Sequence, residues 1–409
     1  MKWILAWKQM KKSRLMTGFT IVELFLLFLL LITGSSIISY NTKDYREFAD
    51  CLSSGGIYME FMGGMEETDS AALEKKFKKT KVYACYGGDF SFAEDKDVYA
   101  IGYDKELIKR HRPELSEGVW LTDAPKDEKM LHVIVGGTLK NQKPGTILYG
   151  KDTKSGKEFE VKVIGVLNDH ATIVGYPNGE RVSSSDYNKI FTHLGEAKVT
   201  GSFVLFDKEE AERLKTEDGI DIHYGLRDVC LLQYQKNIRD EEAEYNREIV
   251  INELLNQKMA ISEFEDLPNI NKNSIRQMGF IVYTLIPVIV ACFVMTLITA
   301  ICSGAIMLRR QMYDYAVYYM SGMKWMDCAV VNLYVNLIET GIAFVLAAIV
   351  VRVFVVGRYY FSTQITFTLQ EVGVCVVAEI FYLLLAMILP SLVIRKSSAI
   401  YILTKTRNA

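Results

Sequence analysis

The chain has 409 residues, half of them hydrophobic, and a mean hydropathy of +0.12, which is too apolar for two or three soluble domains of that total length. This composition argues against a soluble enzyme and excludes disordered, collagenous and disulfide-scaffold classes. The formal charge of −2, from 47 basic and 49 acidic residues, is a near-cancellation that hides a strong segregation along the chain.

The apolar residues are concentrated. No charge interrupts the 32 residues between Arg276 and Arg309, and Leu15 to Ser39, Ala329 to Val351 and Val372 to Ile394 each carry a single glutamate: Glu23, Glu339 and Glu379. Each stretch is long enough to cross a bilayer. The expected fold is an integral membrane protein of four transmembrane α-helices, with a large α+β extracytoplasmic domain inserted between helices 1 and 2.

In chain order, residues 1–16 predict a cytoplasmic amphipathic helix lying on the inner leaflet, with Trp3, Ile4, Trp7 and Met10 at helical spacing and lysines on its other faces. Residues 17–39 are the first span, expected to persist as a signal anchor because no small-residue cleavage site is evident after Gly34. The α+β domain, 40–277, begins with a short helix and a glycine-rich apolar segment (Gly55, Gly56, Gly63, Gly64), then a charged helix over 69–80. Strand-like runs follow at 82–86, 97–103, 131–137, 158–167 and 171–176, with turn signals at Lys143-Pro144-Gly145 and Pro177-Asn178-Gly179. Two more strands, 202–206 and 228–234, flank a helix over 208–216, and a long charged helix over about 238–260 leads back toward the membrane. The remaining divisions are a second span at 278–308, a cytoplasmic segment at 309–327, a third span at 328–352, a short extracellular loop at 353–370, a fourth span at 371–394 and a cytoplasmic tail at 395–409.

Orientation follows the basic residues beside the spans. Lys2, Lys8, Lys11, Lys12 and Arg14 precede the first, Arg309, Arg310 and Lys324 lie between the second and third, and Arg395, Lys396, Lys405 and Arg407 follow the fourth. Both termini are therefore expected in the cytoplasm. Residues 40–277 hold 43 acidic and 33 basic side chains, so the outer domain is acidic and the remainder basic, as suits anionic lipid headgroups. Cys51, Cys85 and Cys230 fall outside, where an oxidising medium would permit a Cys51–Cys85 disulfide, although the odd third cysteine argues that the domain does not depend on bridges.

Signatures of chemistry are scarce. Gly150-Lys-Asp-Thr-Lys-Ser-Gly156-Lys157-Glu158 has one residue too many for a phosphate-binding loop and a glutamate where a magnesium-binding hydroxyl belongs, so it reads as a β-turn. The five histidines make no i, i+4 metal pair, and the basic runs abut the membrane and do not resemble nucleic-acid modules. No catalytic or metal-ligating set and no bound cofactor is expected. Within the spans, Glu23, Glu339 and Glu379 are costly to bury, and Asn332, Asn336 and Glu339 share one helix face. They fit either a proton or substrate relay or interhelical hydrogen bonding that fixes packing; four spans without an inverted repeat favour the latter.

Blocks at five separated places resemble the MacB/FtsX-like permeases of ABC transporters, the type VII or mechanotransmission class. LAWKQMKKSRLMTGFTIVELFLL resembles the family's amphipathic helix turning into its first span. LSEGVWL, HVIVGGTLKNQKPGTILYG and FEVKVIGVLND resemble successive blocks of its extracytoplasmic core domain, which here would carry an inserted lobe. RRQMYDYAVYYMSGMKWMD resembles its cytoplasmic coupling helix, with Arg309, Arg310, Asp314 (in place of the usual glutamate) and Gly322 at the characteristic positions. Glu339 and Pro390 match a glutamate and a proline of the closing spans.

The resemblance implies a non-catalytic permease subunit that works with a separate dimeric ATPase, which binds ATP and magnesium, and with a second copy of this chain or a related permease. Arg309, Arg310, Asp314, Tyr318, Gly322 and Lys324 would form the ATPase-coupling segment. It further implies export or extraction of a peptide, antibiotic or lipid-anchored cargo, or alternatively signalling or activation of a cell-wall hydrolase. An ATP-independent membrane receptor is the alternative from outside the family.

Overall fold

The computed structural model describes residues 2–61, 75–92, 98–125, 129–177, 184–195, 201–220, 222–256, 261–356, 359–360, 363–365 and 367–396. The chain divides into a helical unit, Met1–Thr42 with Gly279–Ala409, and an α+β unit, Lys43–Met278.

The α+β unit is built on strands β1 (Gly56–Phe61), β2 (Thr80–Gly88), β3 (Phe90–Phe92), β4 (Val98–Tyr103), β5 (Leu115–Gly118), β6 (Leu131–Gly137), β7 (Ile147–Asp152), β8 (Glu158–Leu167), β11 (Ser202–Asp207), β12 (Tyr224–Tyr234) and β13 (Ile261–Asp266). They form one sheet in the order β13-β1-β12-β2-β4-β11-β6-β8-β7-β3, with β5 pairing on β8. Among the described residues, β4–β11 and β6–β8 pair in parallel and the other strand pairs of this sheet are antiparallel. A separate hairpin joins β9 (Thr172–Val174) to β10 (Phe191–His193).

Alternation along the strands assigns the faces. Tyr83, Cys85, Ile134, Phe203 and Leu205 point to one side, where they bury Phe48, Cys51 and Leu52. Their neighbours Val133, Val135, Val204 and Phe206 point to the other, against Ala211 and Leu214 of α4 (Lys208–Glu217), while Val82, Ala84 and Cys230 meet Val250 of α5 (Asp240–Asn256). The short helix α3 (Lys105–Arg110) is capped by Asp104, whose carboxylate accepts the Leu107 N–H.

Several elements differ from the sequence expectation. The glycine-rich segment after the first helix holds β1, all of whose residues are buried because the strand lies between β13 and β12. Of the long charged helix expected over about 238–260, α5 covers Asp240–Asn256, residues 257–260 lie outside the described residues, and β13 follows at one end of the sheet. The first half of the helix expected over 69–80 lies outside the described residues; Lys75 and Lys76 are helical, and Thr80 opens β2. Cys51 and Cys85 are free, buried thiols in the same core, so the disulfide considered for them is not formed; burial pushes the Cys51 thiol up to about 12. The loop-like 150–158 segment is the β7–β8 turn, where Asp152 Oδ1 accepts the Lys154 and Ser155 amides.

Gly137 ends β6 at φ +64, and a Cβ there would lie 2.0 Å from the Gly201 carbonyl oxygen. Gly137→Ala is therefore expected to cost about 1–3 kcal/mol, read as a lower Tm of the full chain. An unchanged Tm would contradict this backbone geometry.

The helical unit contains α1 (Lys2–Lys12), α7 (Trp325–Val350) and α8 (Leu369–Lys396); α2 (Arg14–Ser53) and α6 (Leu267–Met320) each contain a boundary between the units. Among the described residues, α2, α6 and α7 contain stretches long and apolar enough to cross a membrane. The fourth expected span is α8, 28 residues long. The segment 309–320 is no separate coupling helix: α6 continues through it to Met320.

Candidate coupling site and intramembrane polar residues

The C-terminus of α6 turns through Ser321 to Lys324 into α7. Gly322 has φ +96, in the left-handed region that glycine enters without a Cβ penalty. Its amide donates to the Tyr319 carbonyl at 3.0 Å and the Met323 amide donates to Tyr318 at 3.0 Å, the paired bonds of a Schellman stop. Across the turn, the Asp327 carboxylate accepts the Lys324 N–H at 3.2 Å and opens α7.

Helix α1 packs against this turn. Ala6 and Met10 are buried with Val331, Val335 and Ile338 of α7, and the Trp3 ring meets Tyr334 edge-on at 5.7 Å. The Tyr315 hydroxyl donates to buried Gln9 Oε1 at 3.3 Å. Each end of α1 is tied by charge: Lys2 to Asp327 and Lys12 to Asp314, both at 2.6 Å. The Lys12–Asp314 hydrogen bond holds the ammonium above its ordinary range, and Lys2 holds the Asp327 carboxyl below its own. The expected apolar stripe of α1 is thus divided. Met10 packs with Ala6 on α7, and Gln9 meets Tyr315 of α6, while Trp3, Ile4 and Trp7 stay exposed.

Of the residues expected to couple, Asp314 is engaged by Lys12, Tyr318 is half-buried with its ring 6.5 Å from Tyr315, and Gly322 and Lys324 lie in the exposed turn. Arg309 and Arg310 lie within α6, and their side chains are outside the description. Among the described residues, Tyr313, Val317, Tyr319 and Met320 are left open on the last turns of α6; Tyr313, Val317 and Met320, exposed by 51, 39 and 67%, are spaced to share one face. Lys2, Gln9, Lys12, Tyr315 and Asp327 were missed as parts of this site, because their partners are some three hundred positions away.

Among the polar residues expected within the spans, Asn332 and Glu339 of α7 are buried and Asn336 is half-buried. Glu339 leaves its Oε1 without a hydrogen-bond partner among the described residues. The Thr340 hydroxyl donates to Glu379 of α8 at 2.9 Å, a bond between helices. Buried Tyr382 lies within electrostatic reach of both Glu339 and Glu23. Among the described residues no cluster of three or more histidine, cysteine, aspartate or glutamate side chains could hold a metal ion.

No protein-family model matches the chain, and no curated protein matches it. Among solved structures, it is similar to the periplasmic region of MacB from Actinobacillus actinomycetemcomitans, at 10% identity and a TM-score of 0.28 over 58% of this chain and 97% of that one. It is also similar to the extracellular domain of the noncanonic ABC-type transporter YknZ from Gram-positive bacteria, at 12% identity and a TM-score of 0.27 over 51% of this chain and 100% of that one. Likeness at this level assigns no function.

Proposed function

We propose that this chain is the permease subunit of a bacterial ABC complex, carrying the motion of a separate ATPase across the membrane to residues 40–277. The reading takes both termini as cytoplasmic, α8 as the fourth span and the α+β unit as extracytoplasmic. Its chief support is the α6–α7 turn: a sequence block resembling the family's coupling helix ends in a fixed Schellman stop beside an exposed apolar face of Tyr313, Val317 and Met320. Such a face can seat in a groove of a partner, with buried Tyr315 and half-buried Tyr318 on the same helix as a rigid backing. A second copy or a related permease completes the complex, and ATPase closure moves paired turns together as rigid bodies. ATP and magnesium stay with the ATPase. The cargo proposed is a peptide, antibiotic or lipid-anchored molecule taken from the outer side. Glu379, bonded to Thr340, supports a packing role for the intramembrane carboxylates.

Purification through this subunit from its native host should recover a soluble ATPase, and Asp314→Lys should release it. The double variant Lys12→Asp with Asp314→Lys restores the internal ion pair with reversed polarity. Recovery regained in the double variant means that Asp314 acts by positioning α1; continued loss means that Asp314 touches the ATPase. A wild-type chain that brings down no ATPase under mild detergent sinks the ABC reading and leaves the receptor.

A further inference from the structure

Histidine 111, at the end of α3, is only 2% exposed, and both its ring nitrogens face acceptors. Nε2 lies 2.9 Å from the Thr172 carbonyl oxygen of β9, which can only accept, so Nε2 carries a proton. Nδ1 lies 2.6 Å from Glu47 Oε2 of α2. An ionised Glu47 beside an imidazole protonated only at Nε2 would press two lone pairs together, with no room for solvent between them. One further proton must therefore sit between Nδ1 and the carboxyl, whichever atom holds it.

The surroundings are charged on every side. Lys43, Asp44 and Asp50 come from α2, Arg110 from α3, His193 from β10 and Glu114 from the strand-β5 approach, while Tyr187 lies near Asp44 and the rings of Phe48 and Phe191 flank the imidazole. His193 Nδ1 reaches the Thr172 hydroxyl at 3.1 Å and lies 3.8 Å from Asp44. Arg110 donates to Asp50 Oδ2 at 2.8 Å and to the Glu47 carbonyl at 2.9 Å, and its guanidinium stays charged at any physiological pH.

We propose that Glu47 and His111 form a proton-holding clamp that fixes the distal part of α2 to the β9–β10 hairpin, and that release of the proton to solvent loosens it. The buried Phe48 ring, packed on Phe191 and Tyr83, holds the next turn of α2 by contacts that do not respond to pH. Loosening is therefore confined to the turns around Asp44 and Glu47. The clamp is a property of the α+β unit and does not depend on the ABC reading.

Hydrogen exchange of the full chain in nanodiscs tests it, with rates corrected for the intrinsic pH dependence. In the wild type, protection of amides in 43–49 should fall as pH rises beyond the ordinary range of a free histidine, by up to about tenfold per pH unit for one linked proton. In Glu47→Gln the side-chain amide can donate to a neutral Nδ1, so protection should persist and become independent of pH. A flat wild-type profile overturns the proposal regardless of how the variant folds. So does a fall shared equally by α5, or one that Glu47→Gln leaves unchanged.

Discussion

Val317→Glu combined with Met320→Glu should abolish recovery of an ATPase through this subunit while leaving the chain folded. Both side chains are exposed on the last turns of α6, at 39 and 67%, so carboxylates there meet solvent in the free subunit and cost little. In the docked state the same positions would be desolvated. Losing the burial of two apolar side chains removes about 3 kcal/mol, roughly a hundredfold in affinity, before any cost of desolvating two charges is counted. The measurement is the amount of ATPase copurified per permease, with the melting curve as the control for folding. Undiminished recovery from a folded variant would place the docking surface elsewhere and remove the main support for the coupling reading.

The strands of the sheet interior were legible because their apolar runs are bounded by turn residues: Leu131–Gly137 and Ser202–Asp207 could be placed within a residue or two. β1 was not, because Gly55 and Gly56 read as punctuation, whereas Gly56 at φ +138 is the first residue of a fully buried strand. β13, with the sequence ISEFED, has too many carboxylates to look like a strand. Two of them are explained only by the fold, since Glu263 and Glu265 both bind the buried Lys189 ammonium, Glu263 at 2.7 Å. The continuity of α6 to Met320 was hidden for a different reason. Arg309 and Arg310 end an apolar run, and so a membrane span, but charge does not end a helix; Gly322 does. The least legible feature is the docking of α1. Its amphipathicity is visible from spacing, yet the choice of Ala6, Gln9 and Met10 as the packed face depends on α7 and on Tyr315 of α6, and the Lys12–Asp314 pair joins residues 302 positions apart.

Phe48→Ala should lower the melting temperature of the α+β unit by roughly 10 °C. The side chain is fully buried, meets Phe191 edge-on at 5.4 Å and Tyr83 at 6.5 Å, and anchors the last turns of α2 to the sheet. Truncating a buried phenylalanine costs about 3–5 kcal/mol, and a unit as large as Lys43–Met278 loses about 2–4 °C per kcal/mol. The nearby Arg110–Asp50 ion pair is the instructive contrast, because Asp50 is 66% exposed and the pair is screened by solvent. Asp50→Asn should cost less than about 1 kcal/mol. The Arg110 hydrogen bond holds the Asp50 carboxyl below its ordinary range, so its small contribution is present at neutral pH and fades only as pH falls through that lowered value. Phe48→Leu, which keeps most of the volume, should fall between the two. If Asp50→Asn proves as damaging as Phe48→Ala, then charge rather than packing seats α2.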